Sequence, residues 1–260
     1  MKPRVGIVVP TLGTRPTYLI DCLNSIRSAG DAHIVLVAPK TLDPKSFLEK
    51  GLIDDFVVDP NNGLAAAINS GFEKMPPFVE FMNWLGDDDL LHSEAISKTA
   101  KALENNPNAS LVFGQCDYID SEGGFIWTNK SGTWAGPLLR FGPDLIPQPG
   151  ALFRRSSFYL AGALDTQLSW AFDFDLFIKL SKLGSLIYLK TRLAKFRWHP
   201  ESLSVGQRSQ SVSEASKVRI SHLPKSLKKV SILWETLVKA TTLLAGDSLG
   251  KRARKRAAGN

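Results

Sequence analysis

The chain has 260 residues, of which 43% are hydrophobic and 22% charged, a balance that allows a full core and excludes a disordered or fibrous class. Its net charge of +7 is uneven: residues 1–223 hold 23 basic and 23 acidic side chains, and residues 224–260 hold nine basic side chains against Glu235 and Asp247. The body lacks the positive surplus of a nucleic-acid binder, so no nucleic-acid partner is expected.

The apolar stretch at residues 5–9 is too short for a signal peptide, and no run approaches the ~18–20 residues that span a bilayer. Residues 5–9, 33–38, 56–59, 78–84 and 111–116 read as strands, most of them continuously hydrophobic, as suits a sheet covered on both faces. Between them, residues 17–28 place Leu19, Cys22, Leu23 and Ile26 on one helical stripe with Thr17 as cap. Residues 63–72 form an Ala-rich helix, and residues 93–104 open with a Ser cap followed by an acid. This alternation predicts a mostly parallel α/β sheet flanked by helices, with its site beyond the carboxyl ends of the strands. Further on, Asp120 to Gly124 reads as a hairpin turn, and residues 129–149 as a mobile loop beside a site. A helix is expected over residues 173–183, then strands over 186–189 and 193–198. Cys22 and Cys116 have no metal-type spacing and fit buried thiols in a reducing cytoplasm.

The strongest chemical signal is Trp84-Leu85-Gly86-Asp87-Asp88-Asp89-Leu90-Leu91. Adjacent carboxylates repel one another and need solvent, a partner or a cation to offset the charge. Hard oxygen ligands after an apolar strand suit Mg²⁺ or Mn²⁺ bridging to a diphosphate, whereas an isolated triplet equally fits a solvated acidic turn.

The motifs together resemble the family-2 glycosyltransferases of GT-A fold, over roughly residues 5–205. Val8-Val9-Pro10-Thr11 is similar to the opening strand and donor loop, with Arg15 in reach of the diphosphate. Asn62-Gly63-Leu64 through Asn69-Ser70-Gly71 resembles the helix that faces the nucleotide, which makes Asn62, Gly63 and Asn69 donor-binding candidates. Leu85 to Leu90 resembles the D-x-D element: Asp89 is in the metal position with help from Asp87, and Asp88 is left for the donor's ribose or sugar. Gln148 to Arg155 resembles the strand into the acceptor site, bringing in Gln148 and Arg154. In Asp173-Phe174-Asp175-Leu176 the resemblance implies that Asp173 is the catalytic base, with Asp175 on the acceptor side. In Arg197-Trp198-His199 it implies a His that completes the metal site.

Read without the family, Asp175 fits a helix N-terminus, His199 a turn cap, and Arg154 and Arg15 plain surface charge. Trp134 suits stacking on an acceptor sugar, while Trp127 fits a core equally well. Three departures stand out. The second strand ends in Ala38-Pro39-Lys40 rather than in base-gripping acids, Phe172 replaces an acid before Asp173, and the Gln-x-x-Arg-Trp element of processive synthases is missing.

The resemblance implies an inverting, metal-dependent transfer from a UDP- or dTDP-type sugar nucleotide to a carbohydrate or lipid-linked acceptor, in polysaccharide or glycolipid assembly. The rivals are a sugar-nucleotide pyrophosphorylase, echoed by Leu12-Gly13-Thr14-Arg15-Pro16, and an inactive binding protein on the same fold. Residues 1–212 are expected to form the GT-A domain, with a nucleotide half at 1–117 and an acceptor half at 118–212. Residues 213–260 are expected to form a basic amphipathic tail. Leu227, Val230, Trp234, Leu237, Thr241 and Leu244 make a stripe, with Lys225, Lys228, Lys229 and Lys239 off it and a polybasic end at residues 251–256. That pattern fits either peripheral attachment to the anionic inner face of a membrane or a helix packed on the domain.

Overall fold

The computed structural model describes residues 3–198 and 207–257. Strand β1 (Val5–Pro10) is buried at every position, as a strand covered on both faces must be. It pairs in parallel with β2 (His33–Ala38) and with β4 (Phe81–Trp84), and β2 pairs in parallel with β3 (Asp55–Val58).

Crossover helices cover both faces. Helix α1 (Pro16–Ala29) sends Leu19, Cys22, Leu23 and Ile26 into a core with Val5, Ile7 and Val9. A short α2 (Lys45–Glu49) follows β2. Helix α3 (Leu64–Glu73) packs Ile68 and Phe72 against Val8, Val35 and Val37 on the opposite face. Close approach there depends on Gly71, because a Cβ at that position would come within 2.6 Å of Val8.

After β4 the pairing becomes mixed. The two-residue strand β5 (Leu90–Leu91) precedes α4 (Ala95–Glu104), β6 (Ala109–Ile119) and β7 (Phe125–Asn129), the last two forming the expected hairpin. Helix α5 (Gly132–Leu138) leads to β8 (Leu152–Arg154) and α6 (Arg155–Leu160). Helix α7 (Phe172–Leu183) is followed by β9 (Ser185–Arg197). The described sheet runs β3-β2-β1-β4-β8-β6-β9-β5, with β7 on β6; β8 is antiparallel to both neighbours and β9 is parallel to β6.

Several local expectations change. Helix α1 begins at Pro16, whose fixed φ suits a first helical position, and Thr17 does not cap it. Helix α4 starts after Glu94, held in the left-handed region (φ 61°), rather than at a Ser93 cap. The segment 129–149 contains α5 and is not simply a loop. The two late strands are one, β9, with irregular register against β6.

The boundary expected at 212/213 falls inside helix α8 (Arg208–His222), whose buried Val218 joins the core beneath α7. After α9 (Lys225–Lys228), helix α10 (Ile232–Ala257) is tied to α8 through buried groups. Arg219 meets Glu235 at 2.7 Å and donates to the Gly142 carbonyl, and Ser216 donates to Glu235. An unpaired charge at either position would be costly, so this network holds α8 and the start of α10 to the domain.

Candidate active site

Because β1 and β4 are parallel neighbours, with Val8 opposite Trp84, their carboxyl ends leave the sheet side by side. Thr11 follows one and the Asp triplet the other, and the Thr11 hydroxyl donates to Asp87. Arg15, just before α1, forks across two acids: Nη2 is 2.8 Å from Asp87 Oδ1 and Nη1 is 2.7 Å from Asp88 Oδ2. Asp89 accepts the Arg197 backbone N–H at 3.0 Å, so the end of β9 closes the same corner. Burial, then the Asp88 charge, pushes the Asp89 carboxyl well above the usual carboxylate range.

These groups open onto a cleft of about 580 Å³, the size of a small-molecule site. Pro10, Thr11, Arg15, Gly63, the three acids, Gln148 and Asp173 line it. Gln148 is oriented by donating to Asn83 Oδ1 and to the Trp84 carbonyl. The opposite wall is Trp170, Phe172 and Asp173 at the start of α7. Burial raises the Asp173 carboxyl to about 6, although the Phe174 N–H donating to it pulls the other way. Such a group is poised for proton transfer near neutral pH.

Other candidates lie elsewhere. Asn69 bonds both ways to the Leu164 backbone, so it fastens α3 to the acceptor half and does not line the cleft. Asn62 is exposed, and its neighbours Asn61 and Gly63 line the cleft in its place. Arg154 points to carbonyls of Ala109, Leu103 and Asn106, where it closes the end of α4. Asp175 pairs with Lys179 at 2.6 Å and with His222 of α8 at 2.6 Å, one helical step away from the cleft wall. Trp134 is 65% exposed on α5, outside the cleft lining. His199 lies outside the described residues.

Three contributors carried no sequence signal. Glu214 of α8 accepts N–H bonds from Ser169, Trp170 and Ala171, which closes the N-terminal end of α7 and sets the Asp173 wall. Asp144 is held well above its ordinary range by burial first and by the Asp173 charge second. Asp59, at the end of β3, lines the cleft beside Asn61. Glu214 and Asp144 act across long sequence separations that no local pattern reveals, whereas Asp59 accepts the Asn61 N–H within its own turn.

Among the described residues no three Asp, Glu, His or Cys side chains converge into a self-sufficient cage. Mg²⁺-type sites use one or two carboxylates and take their remaining ligands from phosphate and water, and the buried Asp87 and Asp89 supply that set of hard oxygens.

No family model matches the chain. A Rickettsia bellii protein named an uncharacterized glycosyltransferase is 28% identical over 152 residues, covering 54% of this chain and 21% of that protein. Another, of Rickettsia conorii, is 26% identical over 213 residues, 76% of this chain and 34% of that protein. An O-antigen biosynthesis protein of Myxococcus xanthus is 24% identical over 195 residues, 72% of this chain and 15% of that protein. The chain thus matches about a third or less of the length of each of these relatives. Among solved structures, a mannosyltransferase from Pyrobaculum calidifontis in complex with GDP-Man and Mn²⁺ superposes with a TM-score of 0.68 at 17% identity, over 100% of this chain and 80% of that one. S. aureus TarS 1–349 gives 0.62 at 15% identity, over 92% and 71%. The fold is that of the GT-A glycosyltransferases, and the two Rickettsia relatives are named glycosyltransferases.

Proposed function

We propose that the chain transfers a sugar from a nucleoside-diphosphate sugar to an acceptor hydroxyl, with inversion, in polysaccharide or glycolipid assembly. One observation carries the reading: a single cleft gathers the Asp87 to Asp89 triplet, with Arg15 bridging two of its acids, and Asp173 at the start of α7, an acid of raised proton affinity. Asp87 and Asp89, with His199, would hold Mn²⁺ or Mg²⁺, whose charge offsets that of the departing diphosphate. Arg15 and Thr11 fix the acids, and Arg15 lies where a diphosphate would pass. Asp88 and the turn at Asn61 to Gly63 face the nucleoside side. Asp173 takes the proton of the attacking hydroxyl, and Gln148 and Trp170 flank the acceptor.

The structures of a mannosyltransferase with GDP-Man and Mn²⁺ and of TarS with UDP support a nucleotide-sugar donor and a divalent ion. A UDP- or dTDP-type donor, a carbohydrate or lipid-linked acceptor and a cytoplasmic site of action complete the reading. The test is product analysis of the purified chain with sugar nucleotides, Mn²⁺ and candidate acceptors. Free nucleoside diphosphate formed in step with glycosylated acceptor is expected. Pyrophosphate-dependent nucleotide turnover would favour a pyrophosphorylase, and binding without turnover an inactive homologue.

A further inference from the structure

Helix α10 presents a face that the domain leaves uncovered. Ile232, Leu233, Leu237 and Leu244 are 73%, 80%, 65% and 68% exposed, although each is a large apolar side chain. Leu233, Leu237 and Leu244 follow one another at helical spacing and form a stripe about 16 Å long at 1.5 Å per residue, with Ile232 to one side of it. Its orientation is set from the other side, where the buried Glu235 faces α8 and is locked by Arg219 and Ser216.

The surroundings of the stripe are basic. Lys225, Lys228 and Lys229 are exposed just ahead of it, and Lys251, Arg252, Arg254, Lys255 and Arg256 follow in the chain. The two acids of residues 224–260 are engaged, Glu235 with Arg219 and Asp247 with Arg208 at 2.7 Å. The exposed apolar stripe thus follows three exposed lysines and precedes a basic run in the sequence. It matches a surface that is negatively charged outside and apolar a few ångströms below.

We propose that this face of α10 docks on an anionic lipid bilayer, with the leucine stripe in the acyl boundary and the flanking lysines and arginines at the headgroups. No described helix is long and apolar enough to cross a membrane, so the contact is interfacial. The inference stands independently of the sugar-transfer reading.

The experiment is vesicle co-sedimentation of the full chain, with phosphatidylcholine alone and with phosphatidylserine added. Binding should require phosphatidylserine and weaken as salt rises. Leu233→Glu with Leu237→Glu should lower the partition coefficient roughly tenfold or more, since two buried apolar contacts are lost. Because those side chains are exposed, circular dichroism and melting should match the parent. Lys225, Lys228 and Lys229 changed together to Ala should weaken binding roughly tenfold or more. As a second readout, Leu237→Cys carrying an environment-sensitive dye should shift to the blue with anionic vesicles; Cys22 and Cys116 are buried and stay unlabelled. Absence of binding, binding unchanged by the Glu pair, or no dye shift would overturn the proposal. A concentration-dependent dimer abolished by the same Glu pair, without vesicle binding, would make a second copy the occupant instead.

Discussion

On one wall of the cleft, three consecutive aspartates follow β4, beside the end of β1, with Arg15 bridging two of them. On the opposite wall, Asp173 lies beside Trp170 and Phe172 at the mouth of α7. The side chain is the same and its surroundings divide the chemistry. Asp87 and Asp88 have the Arg15 guanidinium as a partner, which offsets their charge. Asp89 and Asp173 are desolvated, and burial raises both carboxyls, but only Asp173 stands apart from the triplet, where it can exchange a proton with substrate. The walls also differ in construction: the first is built by adjacent parallel strands, the second by helices α7 and α8 joined through Glu214.

The comparison is broken most directly at Asp173. Asp173→Asn keeps the shape and is expected to lower acceptor transfer by roughly 10²–10⁴-fold, the usual worth of a positioned general base. Donor affinity, read by calorimetry, should hardly change; near-normal transfer would end the base assignment. On the other wall, Asp89→Ala should weaken Mn²⁺-dependent binding of a nucleoside diphosphate by roughly 10²-fold, while binding without metal changes little. If titrations with and without Mn²⁺ match those of the parent, the acids do not hold a cation.

Acidity sharpens the contrast. With Asp173 raised to about 6, the ionised base is lost as pH falls through that value, so transfer should drop roughly fivefold between pH 6 and pH 5. The profile should flatten in Asp173→Asn; a flat profile in the parent would point to another base.

The smallest effect on transfer is expected at Asp175. Burial raises its carboxyl, but His222 and Lys179 outweigh that and hold it below the ordinary value. Its stabilising contribution is therefore present above the unfolded carboxylate range and is lost as pH falls through the lower folded value. Asp175→Asn should cost stability of about 1–3 kcal/mol and leave turnover of folded protein unchanged. A larger loss of transfer than at Asp173 would move the base two residues along the chain.

Much of the first half was legible in the order of residues. The strands and helices up to about residue 116 follow from hydrophobic period, and Asp87 to Asp89 fall at a strand end where α/β sheets bind ligands. The motif order also placed Pro10, Thr11, Arg15, Gly63, Gln148 and Asp173 at the cleft. Asn69 and Arg154 were misplaced because a motif gives a position along the chain but not the direction of a side chain. Asn69 turns to the Leu164 backbone and Arg154 to the carbonyls at the end of α4.

What the sequence determined by itself is therefore local: periodicity, turn chemistry and the crowding of three acids, each expressed within a few residues. Tertiary structure alone decided which acid loses its water, which arginine pairs with which carboxylate, and how the end of the chain is divided. Residues 213–260 read as one basic amphipathic tail, yet α8 and the inward side of α10 belong to the domain. Arg219 and Glu235 meet in the interior, where neither charge is stable alone, and that long-range pairing leaves only the outer face of α10 exposed.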